Sequence, residues 1–296
     1  MNSTHTLYQQ RSFSDKFSVC TDWLAINWKQ FFKYFTIMLL PFFLVQSLLL
    51  SFVMQANSAT MTTSMAMPSA ATLTYTLLSF LVSLVSSFVC NSLFYAVVKH
   101  TFINKQSFQS LGIKSAWQLM KKDMGRLLLS YIVSFIVLML IIGVVVLLGF
   151  ASLKTLFVTI PLFLVVSIAI LPYQALCVLT DEPMLEALSH AFRLGFKCWW
   201  GFFSTTLVMW IFMVVIQILS CIPLYASQAL SIVVSVAGGG GLSMVFSVAA
   251  FLSYFILVYV SSATSLFFVL IVCVQYGHAV MKVDKEEPIN LEEIPT

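Results

Sequence analysis

Four stretches of this chain contain no Asp, Glu, Lys or Arg at all: Tyr34 to Val98, Leu127 to Leu153, Thr155 to Thr180, and Cys198 to Met281. A charge at the centre of a membrane-spanning helix costs on the order of 2.5–3.5 kcal/mol on insertion scales, so uncharged runs of this length belong to a bilayer rather than to a soluble core. A helix rising 1.5 Å per residue crosses a hydrocarbon layer of about 30 Å with about 20 residues. The two middle runs therefore hold one span each and the outer two hold two each. The expected spans lie near 34–55, 73–98, 127–150, 155–179, 202–226 and 247–276.

Composition agrees with this reading, with 60% hydrophobic and 9% charged residues against about 25% charged in soluble domains. The expected class is all-α and polytopic: residues 1–281 form one six-span membrane domain, and 282–296 form an acidic tail. Lys154 alone lies on the opposite side of the spans from the other fourteen of the 15 basic residues. The positive-inside rule then puts both termini in the cytoplasm, with outer loops near 56–72, 151–154 and 227–246. All 11 acidic residues share the basic face. The first 33 residues are polar or amphipathic, so the first span reads as an uncleaved anchor rather than a signal peptide.

The net charge of +4 does not imply nucleic acid. Lys and Arg sit beside span ends, without a basic face bearing aromatic stacking platforms, and phospholipid headgroups are the expected counterpart. The six cysteines include no CxxC pair and read as small core hydrophobes.

Amphipathic segments near 13–32, 106–125 and 183–200 precede the three pairs of spans. In the first, Phe13, Phe17, Cys20, Leu24, Trp28 and Phe31 recur at three- and four-residue steps, and Ser12 with Asp15 makes a capping box. In the third, Leu185, Leu188, Phe192, Gly195 and Trp199 form one stripe, with Pro183 in the first turn. The pattern predicts three hairpins, each preceded by a cytoplasmic interfacial helix. Ser261 to Ser265 marks a possible break in the last span, and Pro41, Pro161, Pro172 and Pro223 are candidate kinks.

The spans hold no ionisable group, which counts against an ion-coupled pump. Their polar residues are Gln46, Asn91, Gln174, Gln217 and the run at 261–265. Asn91, Gln174 and Gln217 are the candidates for lining a cavity, set against ordinary hydrogen bonding between helices. On the charged face the candidates for recognition are Trp28, Lys29, Lys33, Trp117, Asp181, Glu186, His190, Arg193, Lys197, Trp199 and Trp200. Aromatic rings backed by Lys and Arg suit an anionic headgroup boundary. His100, His190 and His278 lack the spacing of a zinc site, and Met61, Met65 and Met67 read as a flexible loop rather than a copper site. No nucleotide, metalloprotease or nucleophile-elbow motif occurs, and no cofactor is expected.

From Pro172-Tyr173 to Trp200-Gly201-Phe202-Phe203 the chain reads as a span end, an acidic turn (Asp181-Glu182), Glu186-Ala187-Leu188, Ala191-Phe192-Arg193-Leu194 and an aromatic span start. This resembles bacterial six-span proteins related to the membrane domain that accompanies some glycerophosphoryl diester phosphodiesterases. The resemblance implies an inner-membrane protein of unassigned activity. The soluble phosphodiesterase domain is missing, so its activity does not follow.

The leading functional expectation is a non-enzymatic membrane protein acting through lipid contacts, or contacts with a protein partner, at its cytoplasmic face. The alternative is a permease-like subunit for a neutral or lipidic solute, with 183–200 docking an ATPase on another chain. A third reading, an interfacial lipid enzyme, requires Asp181, His190 and Arg193 to converge on an open groove.

Overall fold

The computed structural model describes residues 7–61, 70–151, 153–180, 182–236 and 243–286. Among them every regular element is helical: α1 (Phe13–Met61), α2 (Ala70–Val98), a π-turn (Lys99–Ile103), a 3-10 turn (Phe108–Ser110), α3 (Ile113–Ala151), α4 (Leu153–Ala169), α5 (Pro172–Leu179), α6 (Met184–Lys197), α7 (Trp199–Val236) and α8 (Ser243–Glu286). Six helical stretches are long and apolar enough to cross a membrane: Phe13–Met54, Ala70–Ile103, Ile113–Gly149, Phe157–Leu179, Trp199–Leu230 and Val245–Val283. Each overlaps one of the six spans expected from the sequence. Met65, Met67, Asp181, Gly238 to Gly241 and the tail from Glu287 lie outside the described residues.

The ends of the helices depart from expectation for local reasons. Segment 13–32 is not a separate helix, because α1 continues unbroken for 49 residues, about 70 Å at 1.5 Å each. Its start is as expected: the Ser12 N–H donates to Asp15 Oδ2 and the Asp15 N–H to Ser12 Oγ, both at 3.2 Å, a reciprocal capping box. Its buried face is Lys16, Cys20, Trp23, Asn27 and Phe31, so Trp23 is the core tryptophan and Trp28 faces outward. The polar members of that face, Lys16 and Asn27, hide it from a hydrophobicity pattern. Most of the second segment likewise runs straight into its span as α3.

The third segment does form its own helix, α6, which two upstream prolines separate from α4. Pro172 has no N–H, and its ring would collide with the carbonyl of Ile168 four residues back. Helix α4 therefore stops at Ala169, and the chain turns through Leu171 N–H to Ile168 O at 3.2 Å and Tyr173 N–H to Ile170 O at 3.0 Å. Pro183 then stands at the N-cap of α6. Pro41, Pro161 and Pro223 stay inside their helices. Helix α8 is not broken at 261–265, where the Thr264 and Ser265 hydroxyls turn back onto the carbonyls of Val260 (3.0 Å) and Ser262 (2.8 Å).

The chain divides into two compact units. Unit 1 holds Met1–Gln30, Ser92–Met209 and Phe267–Thr296. Within it α3 packs on α4 and α5, and α6 packs on α4 and α5. Helix α6 buries Ala187, Ala191, Leu194 and Gly195, and the absent Gly195 side chain leaves room for the Ala169 backbone carbonyl. Trp23 stacks on Phe102 and Phe108 at 6.2 and 6.0 Å and meets Phe94 edge-on, which holds the stretch after α2 in place.

Unit 2 holds Phe31–Asn91 and Trp210–Leu266. Tyr259 is its hub: its ring lies 5.1 Å from Phe35 and 5.6 Å from Phe43, and its hydroxyl meets Thr36 Oγ1 at 2.8 Å. Five of the six cysteines are buried and all are free thiols. Phe135, Leu140, Leu147 and Phe157 point outward, an apolar surface that suits hydrocarbon rather than water.

Candidate functional site

Four helices of unit 2 bring polar side chains to one level. Gln46 of α1 and Gln217 of α7 line a partly open cavity of about 340 Å³, together with Ser83, Ser86 and Ser87 of α2 and Ser261, Ser262 and Ser265 of α8. Three- and four-residue spacing puts each serine trio on one helix face. Every one of these positions falls near the middle of its expected span, and the lining contains no charged or imidazole side chain.

The hydroxyls and the amides have different needs there. A serine in a span satisfies itself on its own helix, as Ser47 does on the Phe43 carbonyl (2.6 Å), Ser51 on Ser47 (2.8 Å) and Ser265 on Ser262 (2.8 Å). A glutamine amide carries two donors and an acceptor with two lone pairs, and leaving them unpaired in hydrocarbon costs several kcal/mol. Gln46 and Gln217 therefore present hydrogen-bond donors and acceptors to the cavity with no charge beside them.

Asn91 and Gln174, grouped with Gln217 on sequence grounds, are half-buried and do not line this cavity. The serine stripe at 83, 86 and 87 was a usable signal that composition alone obscured. Gln275 is a further buried amide, fully enclosed in unit 1, with both Oε1 and Nε2 lacking a hydrogen-bond partner among the described residues.

The charged residues of unit 1 form short local pairs. Lys99 Nζ spans Asp123 Oδ1 at 3.3 Å and the Val178 carbonyl at 3.2 Å, while Arg126 Nη2 donates to the Glu182 carbonyl at 2.6 Å. His190 Nδ1 meets Glu182 Oε2 at 3.2 Å, and its Nε2 is sealed with no partner among the described residues. In this arrangement neither ring nitrogen is available to a substrate. Glu186 lies in the first turn of α6 and Lys197 in its last, signs that complement the helix dipole. Both are exposed, as is Arg193. The three histidines are not brought together: His278 Nδ1 accepts the Arg11 backbone N–H at 3.0 Å, and no cluster able to hold a metal ion occurs among the described residues.

The aromatic candidates separate into two kinds. Trp28 carries Lys29 Nζ at 5.7 Å, Trp117 carries Lys121 Nζ at 5.2 Å, and Trp200 is 71% exposed. Trp199 instead packs, donating Nε1–H to the Val165 carbonyl at 3.2 Å and stacking on Phe203 at 4.9 Å. Lys33 is exposed on α1.

No family model, curated protein or solved structure matches this chain, so its function is argued from these residues.

Proposed function

We propose that this is a permease-like membrane protein that takes a neutral, hydrogen-bonding solute or lipid into the uncharged cavity of unit 2. The observation that carries the reading is the convergence of Gln46 and Gln217 with two serine trios in the middle of four spans. The lining offers donors and acceptors but no counter-charge, so it favours hydroxyl, ester or amide groups over ions, whose desolvation nothing there would offset. In this reading the protein sits in a bacterial inner membrane with cytoplasmic termini. The exposed Glu186, Arg193 and Lys197 of α6 form the face that meets a separate energising chain. Trp28 with Lys29, Trp117 with Lys121, and Trp200 rest against phospholipid headgroups.

The test uses a fluorescent diacylglycerol, whose headgroup is a single hydroxyl, and measures its binding to the purified protein in nanodiscs. The Gln46→Leu/Gln217→Leu variant should bind about tenfold more weakly, the equivalent of one well-placed hydrogen bond lost in an apolar site. Phosphatidic acid, with similar tails and a charge, should not displace the probe. Equal binding by the native protein and the double variant would sink the reading.

A further inference from the structure

The stretch from the π-turn to the third turn of α3 contains a second cavity, of about 530 Å³, within unit 1. Its polar lining is His100, Asn104, Gln106, Ser115, Gln118 and Lys122. Each of these side chains can donate a hydrogen bond, Lys122 brings a full positive charge, and no carboxylate is among them. The surrounding sequence has the same bias: residues 99–122 contain five lysines and no Asp or Glu. The first acid after them, Asp123, is taken up by Lys99.

Two structural facts point the cavity toward an anion. Ser115 and Gln118 belong to the first turns of α3, a helix of 39 residues with no acidic residue in its first turn, so the positive end of its dipole is left for something else to neutralise. His100, only 7% exposed, lies against the cavity with Nε2 unpartnered among the described residues.

We propose that this cavity binds a phosphate group. A tetrahedral phosphate presents several acceptor oxygens, which suits a ring of donors around one lysine and a helix N-terminus. The volume exceeds that of a bare inorganic ion and accommodates a phosphate with a glycerol-sized substituent. Its position just before the apolar start of α3 at Leu127 lets that phosphate belong either to a lipid headgroup or to a soluble ester.

The two sources are separable with the full-length protein. One arm measures retention of phosphatidylglycerol over phosphatidylcholine by native mass spectrometry from mixed nanodiscs, and the other titrates glycerol 3-phosphate and inorganic phosphate against the detergent-purified protein by calorimetry. The site variant is Gln118→Glu/Lys122→Gln, at two exposed positions. The control is Lys114→Gln/Lys121→Gln, which changes the net charge by the same two units at positions outside the lining. Selective retention of phosphatidylglycerol that falls about tenfold or more in the site variant, and not in the control, supports the proposal with lipid as the source. The same pattern for the soluble esters supports it with a soluble source. No preference for phosphate in either arm, or equal losses in the site variant and the control, overturns it.

Discussion

Gln275 is fully buried, with Oε1 and Nε2 both unpaired among the described residues and Nε2 pressed toward the bare face of Gly201. Each unsatisfied buried polar atom costs about 1–3 kcal/mol. Gln275→Met removes both atoms while nearly keeping side-chain length and volume, a swap whose packing cost is usually under about 1.5 kcal/mol. With about 2 kcal/mol for each atom and the full packing cost, the balance is a gain of about 2.5 kcal/mol. At roughly 2–4 °C per kcal/mol for chains somewhat shorter than this one, the melting temperature should rise by roughly 5–10 °C. Intrinsic tryptophan fluorescence during thermal unfolding in a mild detergent measures it. Gln275→Glu is the opposing control, because it places an unpaired charge at the same point and should lower both yield and melting temperature. A Met variant that melts at or below the native protein would refute the reasoning, since it would mean that the amide has a partner whose loss outweighs its burial.

Gly195→Ala should destabilise the protein by about 2 kcal/mol or more even though alanine is the better helix former by about 1 kcal/mol, because the new methyl meets the Ala169 backbone, which cannot rotate aside; the same thermal assay checks it, and an unchanged melting temperature would show that α4 and α6 can part at no cost. Trp28→Glu/Trp200→Glu changes two exposed rings and should leave melting in detergent unaltered. In nanodiscs it should speed amide exchange about tenfold in the turns of α1 around Trp28 and at the start of α7, as those turns lose their hold on headgroups; identical exchange in both environments would show that the rings are not lipid anchors.

The spans were legible because hydrocarbon rejects a charge anywhere along about 20 residues, which is a local property of sequence. The independence of α6 was legible for the same kind of reason, since Pro172 and Pro183 act within a turn of themselves. What periodicity misjudged was the orientation of α1. Lys16 and Asn27 belong to its buried face, Asn27 bonding back to the Trp23 carbonyl at 2.9 Å, so a polar residue in the stripe was counted as a solvent mark. Nor does an amphipathic stripe show that a helix bends where it enters the membrane, and α1 does not. Of the cavity in unit 2, sequence could nominate Gln46, Gln217 and the 261–265 run. Ser83, Ser86 and Ser87 became part of a site only when three other helices placed their own polar residues at the same depth.

That cavity's lack of charge has an electrical meaning. Moving one elementary charge through a membrane potential of 100 mV is worth about 2.3 kcal/mol, the means by which charged carriers draw on or resist the voltage. On the function proposed above, a lining of amides and hydroxyls around Gln46 and Gln217 and a neutral occupant together would displace no charge, so filling and emptying would be blind to the potential. On that proposal any direction imposed on the solute would come from a concentration difference or from a partner acting on the protein, and occupancy should be the same in energised and de-energised membranes.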